Sequence, residues 1–150
     1  MKVPDALFGI INGAMRQLLR SPLHRLVSGS IMLITYHGRR SGREFSTPVR
    51  YIPNGSGVRC FSDQTTQWWR NLRARPEVTL LIAGVERRYR ANVYVDDPLH
   101  IRAALIAYLK QFPQDAAYHH IRLDGRREPN PQDLDNAALK AVMVELQPLD

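Results

Sequence analysis

The segment ITYHGRRSGREFSTPVRYI, Ile34 to Ile52, places Gly38-Arg39-Arg40-Ser41-Gly42-Arg43 between two apolar runs. Three arginines fall within five residues and two glycines frame them. That arrangement suits an anion. Guanidiniums make charge-assisted bonds to phosphate, turn N–H groups add to them, and glycine lets the chain approach closely. The competing reading is an exposed hairpin turn whose arginines are only solvated. Two further arginine groups occur, Arg70, Arg73 and Arg75 after Trp68-Trp69, and Arg87, Arg88 and Arg90 in a strand-like run.

Other chemistries lack their residues. No phosphate-binding Gly-x-x-x-x-Gly-Lys-Ser/Thr or Gly-x-Gly-x-x-Gly occurs, and no Gly-x-Ser-x-Gly elbow. One cysteine and scattered histidines do not make zinc-ligand spacing. The acids are too dispersed for a paired-carboxylate hydrolase. His119-His120 reads as two surface histidines, because adjacent side chains on a regular element do not face one point; a ligand or acid–base role is the alternative. Of Trp68-Trp69, one can be core while its neighbour faces a pocket or a partner. Tyr36 and Tyr51 alternate along strands and are weak candidates for proton donation.

The elements that must carry these residues follow from periodicity. Residues 5–26 read as a helix, with Leu7, Ile10, Ile11, Ala14, Leu18 and Leu19 on one face and Arg16, Arg20 and Arg25 on the other. It reads as a docking helix or as a contact for an anionic membrane surface. Strands are expected at Ile31–His37, Glu44–Pro53, Val58–Ser62, Val78–Ala83, Arg87–Val95 and Ala141–Leu146, with a turn at Asn54-Gly55-Ser56-Gly57. Helices are expected at Thr66–Arg75, stopped by Pro76, and at Pro98–Phe112. Residues 113–132 read as a surface excursion and Asp133–Lys140 as a short helical turn. Strands joined by short turns, without β-α-β alternation, imply an antiparallel barrel with appended helices.

The 150 residues suit a single domain, a helical segment 1–28 and a barrel 29–150. Formal net charge is +7, which implies an acidic partner. The arginines are spread rather than gathered in a tail, so nucleic acid is not the expected one. A lone Cys60 makes no internal disulfide and reads as a small buried hydrophobe. With no signal-peptide pattern and no long apolar run, the expected location is cytoplasmic, with membrane association through residues 5–26 as the variant.

The stretch Thr35–Val49, with TQWWRNLRARPEVTLLIAG after it, resembles the deazaflavin (F420)-dependent nitroreductase family. The matching residues are Gly38-Arg39-Arg40-Ser41-Gly42, Pro48, Trp68-Trp69, Asn71-Leu72 and Arg75-Pro76. The resemblance spans about residues 7–95 and, loosely, the final AVMVELQP. It implies an FMN-binding split β-barrel, mainly β, with an N-terminal helix and peripheral helices. It also implies an F420-dependent oxidoreductase passing hydride to a quinone, nitroaromatic or other electron-poor acceptor, commonly as a dimer. The implied cofactor contacts are Arg39, Arg40, Ser41 and Arg43 at the phosphate, and Thr47, Pro48 and Val49 along the ring. Cys60, Phe61 and Ser62 would lie on the neighbouring strand, with Trp69 and Asn71 as wall and helix cap. Phe45 and Asp63 stand where the family commonly has basic residues. FMN in the same fold, or a non-catalytic carrier of a lipid or haem-like ligand, are the alternative readings.

Overall fold

A computed structural model describes residues 30–149. The expected helix at residues 5–26, and with it the membrane-contact reading, lies outside the described residues. Seven strands follow: β1 (Ile31–His37), β2 (Glu44–Arg50), β3 (Ile52–Asn54), β4 (Gly57–Asp63), β5 (Glu77–Ile82), β6 (Val85–Tyr94) and β7 (Ala141–Pro148). Three helices accompany them: α1 (Trp68–Ala74), α2 (Pro98–Gln111) and α3 (Pro131–Lys140). The sheet order is β2-β1-β5-β6-β7-β4-β3, and the pairs β1–β2, β1–β5, β3–β4 and β5–β6 run antiparallel.

The end strands of that order, β2 and β3, are consecutive in the chain. The single run expected over Glu44–Pro53 is interrupted at Tyr51, whose N–H donates to the Ser30 carbonyl at 2.9 Å. One half then pairs with β1 and the other with β4. A chain that feeds both edges of one sheet curls that sheet on itself, which is how a barrel removes its open edges.

The alternation of side chains across a strand sorts β1 into two faces. Met32, Ile34 and Tyr36 are buried; in register they match Val49, Thr47 and Phe45 of β2. The other face carries Leu33, Thr35 and His37, matched to Pro48, Ser46 and Glu44. Turns tighten the meander where the backbone demands it. Ala83 and Gly84 both have positive φ, 50° and 80°, the requirement of a two-residue hairpin turn matching strand twist. At Gly57 a Cβ would fall 2.0 Å from the Leu146 carbonyl oxygen, so only glycine permits that approach.

The chain divides into two compact units. One holds the described residues up to Cys60, with Gln67–Val93 and Val144 onward. Its core includes Met32, Ile34, Trp69, Leu72, Leu80 and Leu146, each at most 2 % exposed. The other holds Phe61–Thr66 and Tyr94–Met143. There α2 and α3 bury Ile101, Leu105, Leu134 and Ala138. Pro98 and Pro131 open these helices, and the Asn130 side chain accepts the Asp133 N–H at 3.0 Å as the N-cap of α3. Residues 113–132 are less of a surface excursion than expected: Ala116, His119 and Ile121 are buried. His119 itself corrects the reading of a surface pair. It is 8 % exposed while His120 is exposed, because His120 takes a positive φ of 57° and turns the chain away.

Candidate cofactor site at the arginine turn

The Gly38–Arg43 turn joins β1 to β2. It is closed by Gly38 N–H donating to the Arg43 carbonyl at 2.8 Å and Gly42 N–H donating to the Gly38 carbonyl at 2.9 Å. Gly42 holds φ +71°, and a Cβ there would sit 3.3 Å from the Arg75 Nη1. The Ser41 hydroxyl accepts the Arg43 N–H at 3.1 Å, so Ser41 stiffens the turn.

Asn71, in α1, locks the turn from the side. Its Oδ1 accepts both the Arg39 backbone N–H and Arg39 Nη1, each at 3.0 Å. Asn71 is therefore a tether to the turn and not the expected helix cap; Gln67 occupies the N-cap position. With Arg39 committed, the exposed guanidiniums of Arg40 and Arg75 meet no carboxylate among the described residues. Arg43 lies over the Phe45 ring, 5.5 Å from its centroid. Phe45 thus carries a cation above it at the position where the family commonly has a basic residue. Arg70 instead covers the Trp69 ring at 4.4 Å, and Arg50 Nη1 donates to the Ser30 hydroxyl at 3.2 Å, so neither serves the turn.

Beside the turn, the Tyr36 ring stacks on Phe45 at 5.8 Å and meets Trp68 at 6.1 Å. Its hydroxyl bonds the Thr47 hydroxyl at 3.3 Å. Burial pushes the Tyr36 phenol up from 10, partly offset by the Thr47 bond. Tyr51 lies at the other end of β1, by Ser30, and does not join this group. Trp69, expected as the cofactor wall, is 2 % exposed and built into the core; half-buried Trp68 is the tryptophan at the turn. On β2, Thr47 and Val49 share the Tyr36 face, whereas Pro48 lies on the opposite one. Their side chains cannot line one ring together, because adjacent strand residues point apart.

The β4 residues behave differently. Cys60 is fully buried, and burial alone pushes its thiol up to about 12, so it offers no surface to a ligand. Ser62 is 2 % exposed and bonds the Thr66 hydroxyl at 2.7 Å. Phe61 packs edge-on against Tyr108 at 5.0 Å and His119 at 6.1 Å. Phe61 and Ser62 belong to the second unit. Two contributors escaped sequence reasoning. Arg75 was visible only as part of a basic stretch before Pro76, and Trp68 only as one of a pair.

A family model described as F420H(2)-dependent quinone reductase matches residues 13–118. The chain belongs to that family. It is an F420-dependent oxidoreductase. Curated proteins yield no match. Solved structures agree in fold. A Listeria innocua protein assigned as a pyridoxamine 5′-phosphate oxidase has TM-score 0.55 and 13% identity, covering 91% of this chain and 94% of that one. An F420-H2 dependent reductase, FDR-A, has TM-score 0.50 and 14% identity, covering 77% and 93%. HutZ, the haem storage protein of Vibrio cholerae, has TM-score 0.52 and 13% identity, covering 87% and 91%. The fold is the split antiparallel β-barrel. The residues here suit an acidic cofactor. A glycine-framed turn presents Arg40 and Arg43, with Arg75 alongside, and a side chain at Gly38 would crowd Phe45 and Ser41 at 3.1 and 3.2 Å. Among the described residues no helix is long and apolar enough to cross a membrane.

Proposed function

We propose that the Gly38–Arg43 turn binds the phosphate of F420 and that the enzyme reduces a quinone, with nitroaromatics as alternative acceptors. The observation that carries this reading is the set of guanidiniums left without carboxylates around the turn, Arg40 and Arg75, with Arg43 above Phe45. When bound, reduced F420 supplies a hydride; with one proton it converts a quinone to its hydroquinone. The chain's own work is positional. Arg40, Arg43 and Arg75 hold the anion, Gly38 and Gly42 allow its close approach, and the Asn71–Arg39 tether keeps the turn in shape before the cofactor arrives. Tyr36 keeps its phenol protonated, because its pKa is raised. Its Oη, bonded to Thr47, is where a proton for the acceptor would be held.

Titration of the protein with F420, and in parallel with FMN, followed by tryptophan fluorescence, tests the cofactor assignment, since Trp68 lies beside the turn. Saturable quenching by F420, weakened about 10- to 100-fold by Arg40→Ala, is expected. Tighter binding of FMN than of F420 would refute it. Steady-state reduction of a naphthoquinone against a nitroaromatic then tests the acceptor order. A homodimer, expected from the family resemblance, is part of this reading and is checked by sedimentation equilibrium.

A further inference from the structure

Phe45 is a large apolar side chain left 37 % exposed, so its ring does not serve the core. It stands opposite Tyr36 in the β1–β2 register, and three of its contacts are with the arginine turn and its neighbours. Tyr36 stacks on the ring at 5.8 Å. The Arg43 guanidinium carbon lies over it, 5.5 Å from the centroid. Its edge closes on Gly38, where a Cβ would fall 3.1 Å from Phe45 Cε2.

Arg43 has a fixed backbone. Its N–H donates to Ser41 Oγ and its carbonyl accepts the Gly38 N–H. Its guanidinium meets no carboxylate among the described residues, so what holds the charge is the Phe45 ring. The neighbouring cations are held differently. Arg39 is tied to Asn71. Arg40 meets no ring among the described residues. Arg75, beside Gly42, also lines a cleft with Arg90 on the opposite face of the sheet. A guanidinium over an aromatic face is attracted by the negative face of the ring, and a side chain ordered beforehand loses less freedom when an anion binds.

We infer that Phe45 is a positioning residue, which holds Arg43 over the turn and so raises the affinity of the turn for phosphate. This rests on the phosphate reading above and deepens it. The ring offers an anion no donor, so Phe45 acts only through Arg43. Tyr36 steadies the ring from β1, and the aromatic pair, not the flexible arginine stem, sets where the charge stands.

The test is a double-mutant cycle on F420 binding, measured by calorimetry. Phe45→Leu keeps an apolar side chain but removes the ring; it should weaken F420 about two- to fivefold, the range of an exposed cation–π contact. Arg43→Gln should weaken it about tenfold. The double variant should lose no more than Arg43→Gln alone, whereas Phe45→Leu combined with Arg40→Gln should show losses that multiply. Phe45→Tyr keeps the ring face and should bind F420 as the unmodified protein does. An unchanged affinity in Phe45→Leu, or losses that multiply with Arg43→Gln, overturns the inference. The Arg43 Hε resonance gives a reading without cofactor: a ring-current shift is expected in the unmodified protein and in Phe45→Tyr and should vanish in Phe45→Leu. The same shift in all three also overturns it. If the unmodified protein does not bind F420, the cofactor reading fails. The cycle is then run with inorganic phosphate, followed at the Arg43 Hε resonance: coupling of Phe45 to Arg43 upholds the inference, and absence of coupling or of phosphate binding overturns it.

Discussion

At the Gly38–Arg43 turn, guanidiniums stand in solvent without acids to neutralise them. Around His119 the side chains are instead folded inward. The Tyr108 hydroxyl donates to Asp115 Oδ2 at 2.5 Å, and His119 is packed against Phe61 and Tyr118. Burial drives the His119 imidazole down from 6.5 to about 4, against the opposing pull of Asp115 and Asp63. The Gly38–Arg43 turn joins two strands, and His119 lies in the longer stretch between α2 and α3. The first keeps its charge available, which a binding site needs. The second removes charge from its interior, which a core needs, because an unpaired buried charge is costly.

The sharpest way to break this contrast is acid. A histidine held neutral in the fold binds a proton more readily when unfolded, so its contribution is complete above pH 6.5 and is lost as pH falls towards 4. The shift corresponds to roughly 3 kcal/mol across that window. Urea midpoints taken from neutral to acid pH should drop in this range, and His119→Gln should flatten the drop. An equally steep drop in the variant would mean that His119 is not the buried titrating group.

Asn71→Ala attacks the other region. It leaves the Arg39 N–H without its acceptor and should cost about 1–2 kcal/mol of stability, together with a loss of F420 affinity. Arg40→Ala should lose affinity with little change in stability. Chemical denaturation beside cofactor titration separates the two; a stability loss in Arg40→Ala equal to that in Asn71→Ala would erase the distinction between tether and ligand contact. Smallest is Gly42→Ala. Its left-handed φ of +71° should cost about 1 kcal/mol. The added methyl also approaches Arg75, so a shift in F420 affinity should accompany it. Unchanged stability and affinity would show that the turn tolerates a side chain there.

Much of the scaffold was legible because local signals agreed. The apolar run and the glycine after it bound β1 at His37, and Pro76 ends α1 as its steric block requires. Asp133–Lys140, expected as a short helical turn, is part of the ten-residue helix α3, because Pro131 and the Asn130 cap start it earlier. The division of Glu44–Pro53 at Tyr51 was not legible. A strand's pattern states that one face is buried but not which neighbour buries it. At the site, the arginine turn could be read from its glycine frame. The choice between Trp68 and Trp69 could not, since two adjacent helical residues differ only in what packs against each. The same holds for Cys60, Phe61 and Ser62, where alternation predicts opposite directions without saying which direction is core.

The residue order thus determined by itself where chain direction and charge must lie: the glycine-framed cations, the strand and helix spans, and the motifs that carry the family. These depend on interactions within a few residues. Only the tertiary structure decided that Arg39 is held by Asn71 across 32 positions, that Arg75 reaches Gly42, and that Arg75 and Arg90 line one cleft. Such contacts depend on which strands become neighbours, and that is settled by packing of the whole sheet and not by any local stretch of it.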